Sequence, residues 1–110
     1  MTADFGSLLC TRTFTWVDDL ATTRYAYLDI SMPVNINVGQ SNYWACNVRT
    51  RDTGEDDLKT AQGDDSVQAI YHALILAGIM VNELTISSAF QESELENFGF
   101  PSIAIPNEAR

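Results

Sequence analysis

The stretch GDDSVQAIYHALILAGIMV, Gly63 to Val81, opens on two carboxylates and closes on nine consecutive apolar residues, Ala73 to Val81. A bilayer crossing needs roughly 20 mainly apolar residues, so this run reaches about half the required length and reads as a buried helix instead. Its start has a local logic. With Asp65 as N-cap, the carboxylate accepts the backbone N–H near Gln68, and the Gln68 side chain reaches back to the cap's own N–H, a D-x-x-Q form of the capping box. Asp64 and Asp65 also lie at the positive end of the helix dipole, which favours negative charge. Helical spacing predicts a buried stripe of Val67, Ile70, Tyr71, Leu74, Ala77, Gly78, Val81 and Leu84, with Gly78 where the helix backbone nears a strand. Ile75, Leu76, Ile79 and Met80 then point sideways or outward. The C-terminal tail, with Phe98, Phe100, Ile103 and Ile105, or a second copy of the chain is expected to cover them.

A helix with one apolar stripe needs a partner layer, and the first half of the chain supplies strands. Thr11 to Val17 alternates Phe14 and Trp16 with threonines. Tyr25 to Met32 places Ala26, Leu28, Ile30 and Met32 on one face and Tyr25, Tyr27, Asp29 and Ser31 on the other, a period of two. Pro33 cannot donate to a ladder, so the strand ends there or continues past a bulge through Val34, Ile36 and Val38 to the turn at Gly39. Tyr43 to Thr50 is the third strong strand, with Trp44, Cys46 and Val48 inward and Tyr43, Ala45, Asn47 and Arg49 outward. The acidic loop after Arg51 leads to a short strand near Leu58 to Ala61. After Leu84, Gln91 to Asn97 reads as a short helix or loop, with a last strand at Ser102 to Ile105. The expected fold is α+β: an antiparallel β-meander of about four or five strands with one long helix packed on one face, in a single domain spanning residues 1–110.

Within this order of landmarks, an Ile-Ser-Met-Pro strand end, Trp44-x-Cys46 on a strand, and Gly63-x-Asp65-Ser66-x-Gln68-Ala69-Ile70 opening a helix, the chain resembles a family of small bacterial proteins of unknown function. The resemblance covers roughly residues 25 to 84. Ile70 stands where leucine is more usual, and Asp64 is an additional aspartate. The resemblance implies a small α+β domain and carries over no substrate and no catalytic residue.

Composition narrows the function classes. The 110 residues are 45% hydrophobic, enough for one core. Fifteen acidic residues against six basic ones give a net charge of −9, which repels phosphate backbones and argues against nucleic-acid binding. Cys10 and Cys46 form no disulfide framework, and both are expected reduced and buried. Leu8-Leu9-Cys10 has the form of a lipoprotein cleavage site, but no basic or apolar leader precedes it. The expectation is a soluble cytoplasmic protein without membrane contact.

Chemistry finds little support. One histidine, His72, and two distant cysteines give no zinc spacing, and Asp52 to Asp57 lacks the calcium-loop register, so no metal and no cofactor is expected. Ser66 and Cys46 lie in no nucleophile motif. Asp65, Gln68 and His72 could share a polar edge at the helix start and are the nearest approach to a site, while no catalytic residue is assigned. Tyr25, Tyr27 and Tyr43 fall on the outward face of neighbouring strands and form a candidate binding patch, because tyrosine offers large contact area with a polar tip. The leading expectation is a small acidic non-enzymatic protein-interaction domain of the inhibitor or immunity type. The alternative is a small-molecule-binding or enzymatic domain with its pocket between helix and sheet near His72. A homodimer through Ile75, Leu76, Ile79 and Met80 is compatible with either.

Overall fold

The computed structural model describes residues 5–90 and 96–102. Five strands form one antiparallel sheet: β1 (Leu8–Val17), β2 (Thr23–Ser31), β3 (Val34–Val38), β4 (Ser41–Arg51) and β5 (Leu58–Gly63). The helix α1 (Ser66–Asn82) packs across one face, a 3-10 turn follows at Thr85–Ala89, and Asn97–Gly99 forms a turn of left-handed backbone. The fold is the expected α+β meander with one long helix. No helix of the described residues is long and apolar enough to cross a membrane.

β4 organises the sheet. One of its edges takes β5, from Trp44 opposite Gly63 to Arg49 opposite Leu58. The other edge takes β2 along Val48 to Arg51 and then β3 along Ser41 to Ala45. Between the pairs Ile30–Val48 and Val34–Ala45, the β2–β3 side has three residues, Ser31, Met32 and Pro33, against Cys46 and Asn47 on β4. This is the bulge that Pro33 suggests, and it reverses the facing of the strand residues. Val34, Ile36 and Val38 therefore share the face of Asp29 rather than that of Leu28. Met32, expected inward, is displaced by the same bulge and is exposed.

The core lies between α1 and the sheet, where Phe14, Ala26, Leu28, Ile30, Cys46 and Val48 meet Ala69, Ala73, Ala77, Met80 and Val81. Trp16 and Trp44 pack at its margin. The helix is rotated relative to the expected stripe. Val67 and Tyr71 are exposed, at 74% and 50%, while the alanines of every fourth position face the sheet. Small side chains win this face because they let the helix backbone approach the strands. A Cβ added at Gly63 would lie 2.4 Å from the backbone nitrogen of Ala69.

The rotation also corrects the outer face. Met80 and Ile75 are buried and Leu76 packs against the core, which leaves Ile79, 47% exposed, as the one outward residue of the four. Gly78 faces the tail and not a strand: a Cβ there would meet Asn97 Nδ2 at 2.5 Å and Phe100 Cβ at 2.9 Å. Asn97, Phe98 and Gly99 are consecutive residues with positive φ, and they turn Phe98 inward. Its ring packs edge-on against Phe14 and Phe90, which stack on each other at 4.7 Å. Arg12 closes this cluster, lying over the Phe14 and Phe100 rings and donating from Nη1 to the Phe98 carbonyl. The expected strand at Ser102 to Ile105, with Ile103 and Ile105, lies outside the described residues beyond Ser102, as does most of Gln91 to Asn97.

Candidate functional site

The face of the sheet opposite α1 is built from the alternate positions of β1, β2 and β4, and its centre is polar and closed. Asp29, expected to face solvent, is fully buried there. Its carboxylate accepts hydrogen bonds from Thr11 Oγ1 at 2.7 Å, Arg49 Nε at 2.7 Å, Arg51 Nε at 2.5 Å and Arg51 Nη2 at 3.2 Å. Burial alone raises this carboxyl's pKa, but the bonds from Arg51, Arg49 and Thr11 outweigh burial and bring it down to about 2. Phe5 covers the cluster, its ring 4.0 Å from the Arg49 guanidinium, and its carbonyl accepts from Asn47 Nδ2 at 3.0 Å. Ser31, also expected outward, is buried and bonds the Asn47 N–H through Oγ. Both oxygens of Asp29 are fully used, so the cluster ties three strands and presents no free base.

The three tyrosines do not form one patch. Tyr25 and Tyr27 stand together on β2, opposite Thr15 and Thr13 of β1, with Arg51 4.5 Å over the Tyr27 ring. Tyr43 lies opposite Ile36. It is eight residues along β4 from Arg51, the partner of Tyr27, or about 26 Å at strand spacing. The covered Asp29 cluster lies between them. Tyr43 thus belongs with Val34, Ile36 and Val38 at the far end of the face.

Beside Tyr25 and Tyr27 the sheet has a notch of about 660 Å³. β4 stops at Arg51, and positive φ at Asp52 and Gly54 swings the chain away to β5. β2 continues with β1 alone. One wall of the notch is β2 and the hairpin end, with Trp16, Asp18, Thr23, Arg24, Tyr25 and Tyr27; the other is Asp52, Thr53, Gly54 and Ile86. Both walls are held in place. Asp18 accepts from the N–H groups of Leu20 and Thr22 at 2.9 Å and from Arg24 Nε at 2.8 Å, and these bonds, led by Arg24, lower its pKa. Opposite, Asp56 accepts from Thr53 N–H and Oγ1, and Glu55 accepts from Thr85 N–H at 2.7 Å, joining the loop to the 3-10 turn. The indole N–H of Trp16 is buried and has no acceptor among the described residues.

The helix-start residues are occupied locally. Asp65 caps α1, accepting from Gln68 N–H at 2.7 Å. Gln68 Oε1 accepts from Asp64 N–H at 2.6 Å, one residue before the N–H expected of a capping box. His72 Nδ1 lies 2.6 Å from the carbonyl of Gln62, fastening α1 to β5. The space between helix and sheet is filled by the apolar core, and the groove of about 320 Å³ that touches His72 is on the outer side of α1, beside Ile75, Leu76 and Ile79. Cys46 is buried, with Sγ 3.1 Å from the Ser31 carbonyl, whereas Cys10, expected buried, is exposed on the edge strand β1.

Sequence reasoning missed both Asp29 and the notch. A carboxylate at an alternating outward position carries no local mark of its partners, which arrive from β1 and β4. The notch follows from unequal strand lengths, and its signal is the Asp52–Gly54 turn breaking β4 before β2 is fully paired. No family model, curated protein or solved structure matches this chain.

Proposed function

We propose that this chain is a non-enzymatic protein-interaction domain, of the inhibitor or immunity type, working in the cytoplasm through the Tyr25–Tyr27 end of its open sheet face. The observation that carries this reading is the placement of those two tyrosines at the mouth of a notch with fixed walls, on the face the helix leaves uncovered. Aromatic side chains of this kind give contact area at small entropic cost. The polar groups that could have served chemistry are engaged in structure: Asp65 and Gln68 at the cap, His72 at Gln62, Asp29 beneath Phe5. The free thiols of Cys10 and Cys46 suit a reducing compartment. With a net charge of −9, a basic partner is favoured, and its association weakens as salt rises. Kinship with the uncharacterised bacterial family belongs to the same proposal and adds no activity to it.

The test is affinity capture from the source cell with the wild-type chain, with Tyr25→Ala/Tyr27→Ala and with Tyr43→Ala, read by quantitative mass spectrometry. A partner retained by the wild type and Tyr43→Ala, and lost by the double variant, supports the reading. Equal recovery on all three baits sinks it.

A further inference from the structure

We infer that the notch receives an extended, basic polypeptide segment of the partner, which adds to the sheet as a strand along Thr23–Ala26 of β2. This rests on the reading of the chain as an interaction domain and specifies how it would bind. β2 pairs with β1 from Thr23 to Ser31, but its pairing with β4 begins only at Tyr27. Over Thr23, Arg24, Tyr25 and Ala26 the second edge therefore meets no strand among the described residues. Among the described residues, its backbone makes no bond there beyond the ladder to β1. In a pleated strand every second residue directs both its N–H and C=O to a given edge, so this edge presents unpaired donors and acceptors at the spacing an added strand requires.

The position left open by the described residues is the continuation of β4. The turn at Asp52 and Gly54 removes β4 from the sheet, leaving a gap where a strand of four residues, about 13 Å long, would lie beside β2. Side chains of the incoming strand alternate between faces. One set meets Tyr25 and Tyr27, and the other meets Trp16 and Ile86 on the helix side. Charge selects the occupant. Asp18 and Asp52 stand on the rim, the two cations beside it are already held, Arg24 by Asp18 and Arg51 by Asp29, and the whole chain is acidic. Exposed edges are ordinarily blunted by lysine, proline or a bulge. Thr23–Ala26 has no lysine, proline or bulge, and its one charged residue, Arg24, is tied back to Asp18.

The experiment uses the full chain and an array of blocked synthetic peptides of about six residues, alternating Lys or Arg with Val, Ile, Thr, Tyr or Phe. Binding is read by tryptophan fluorescence and by amide hydrogen exchange at those alternate residues of Thr23–Ala26 whose N–H groups face away from β1. Expected are a peptide that binds and protects those amides, a loss of about tenfold or more when its alternate backbone nitrogens are methylated, and no binding by its counterpart with Glu for each cation. Asp52→Asn should weaken it several-fold at low salt. The inference is overturned if no basic peptide binds, if the methylated peptide binds equally, or if the amides stay unprotected. It is also overturned if the chain alone dimerises at high concentration and protects the same amides, since the occupant is then a second copy. Partner capture that depends on Tyr25 and Tyr27 while every peptide fails would reject strand addition and leave the interaction reading standing.

Discussion

Arg49 on β4 donates through Nε to Asp29 on β2 across 2.7 Å, from the position directly opposite in the strand register. The pair is a buried anion under a half-exposed cation, and Arg51 reaches the same carboxylate from the next outward position. Asp29→Asn keeps the shape but removes the charge, leaving two guanidiniums side by side without the carboxylate that bridges them. Because the arginines left behind are partly solvated, the cost is below that of stranding a buried charge, about 2 kcal/mol. Urea unfolding should show a loss of that order with an unchanged slope, and a loss below about 0.5 kcal/mol would mean the network contributes little.

The same carboxyl predicts acid sensitivity. Its pKa is about 2 in the folded chain against 3.8 for an unperturbed aspartate. A depressed folded value means the stabilisation is complete above about pH 4 and is lost as pH falls towards 2. The gap corresponds to about 2 kcal/mol. Wild type should lose this increment between those values, and Asp29→Asn should lack it, which paired pH-dependent melts would check.

Gly63 is held to its size by the start of α1. Gly63→Ala would drive a Cβ against backbone, at 2.4 Å from Ala69 N and 2.8 Å from Gln68 C, and neither can rotate away. The expected cost is about 2 kcal/mol, within the range for overpacking. Calorimetry should show a lower Tm, and a neutral substitution would mean that helix and strand separate more easily than this contact implies.

The two thiols should react at different rates. Burial raises the pKa of Cys46, and its Sγ is enclosed beside the Ser31 carbonyl, while Cys10 is exposed. Ellman's reagent should label Cys10 promptly in the native chain and Cys46 only on unfolding. Fast labelling of both would place Cys46 outside the core.

Much of the fold was legible because it is local. Alternation along Tyr25 to Met32 gives the inward set Ala26, Leu28 and Ile30, and the Asp65–Gln68 spacing gives the helix start. The helix phase was harder, since Ala73 to Val81 is apolar all round and a stripe centred on large residues competes with one centred on alanines. Only the sheet decides between them, by admitting the side chains that allow close approach. The candidate site was half visible. Tyr25 and Tyr27 read as a pair from β2 alone, but the separation of Tyr43 depends on register with β4, and the notch depends on where β4 ends.

The bulge at Met32–Pro33 decides which surface the rest of the strand presents. With one residue more on the β2–β3 side than on β4, the chain carries Leu28 beneath the helix and Val34 on the opposite surface within one nearly continuous strand. Deleting a residue there would leave two residues against Cys46 and Asn47 and keep Val34 opposite Ala45, whereas closing the bulge with every residue kept would turn Asn35 and Asn37 over to the face now occupied by Val34, Ile36 and Val38. The joint therefore decides the surface chemistry of every residue beyond it, and shortening it by one residue should be tolerated better than closing the bulge at constant length.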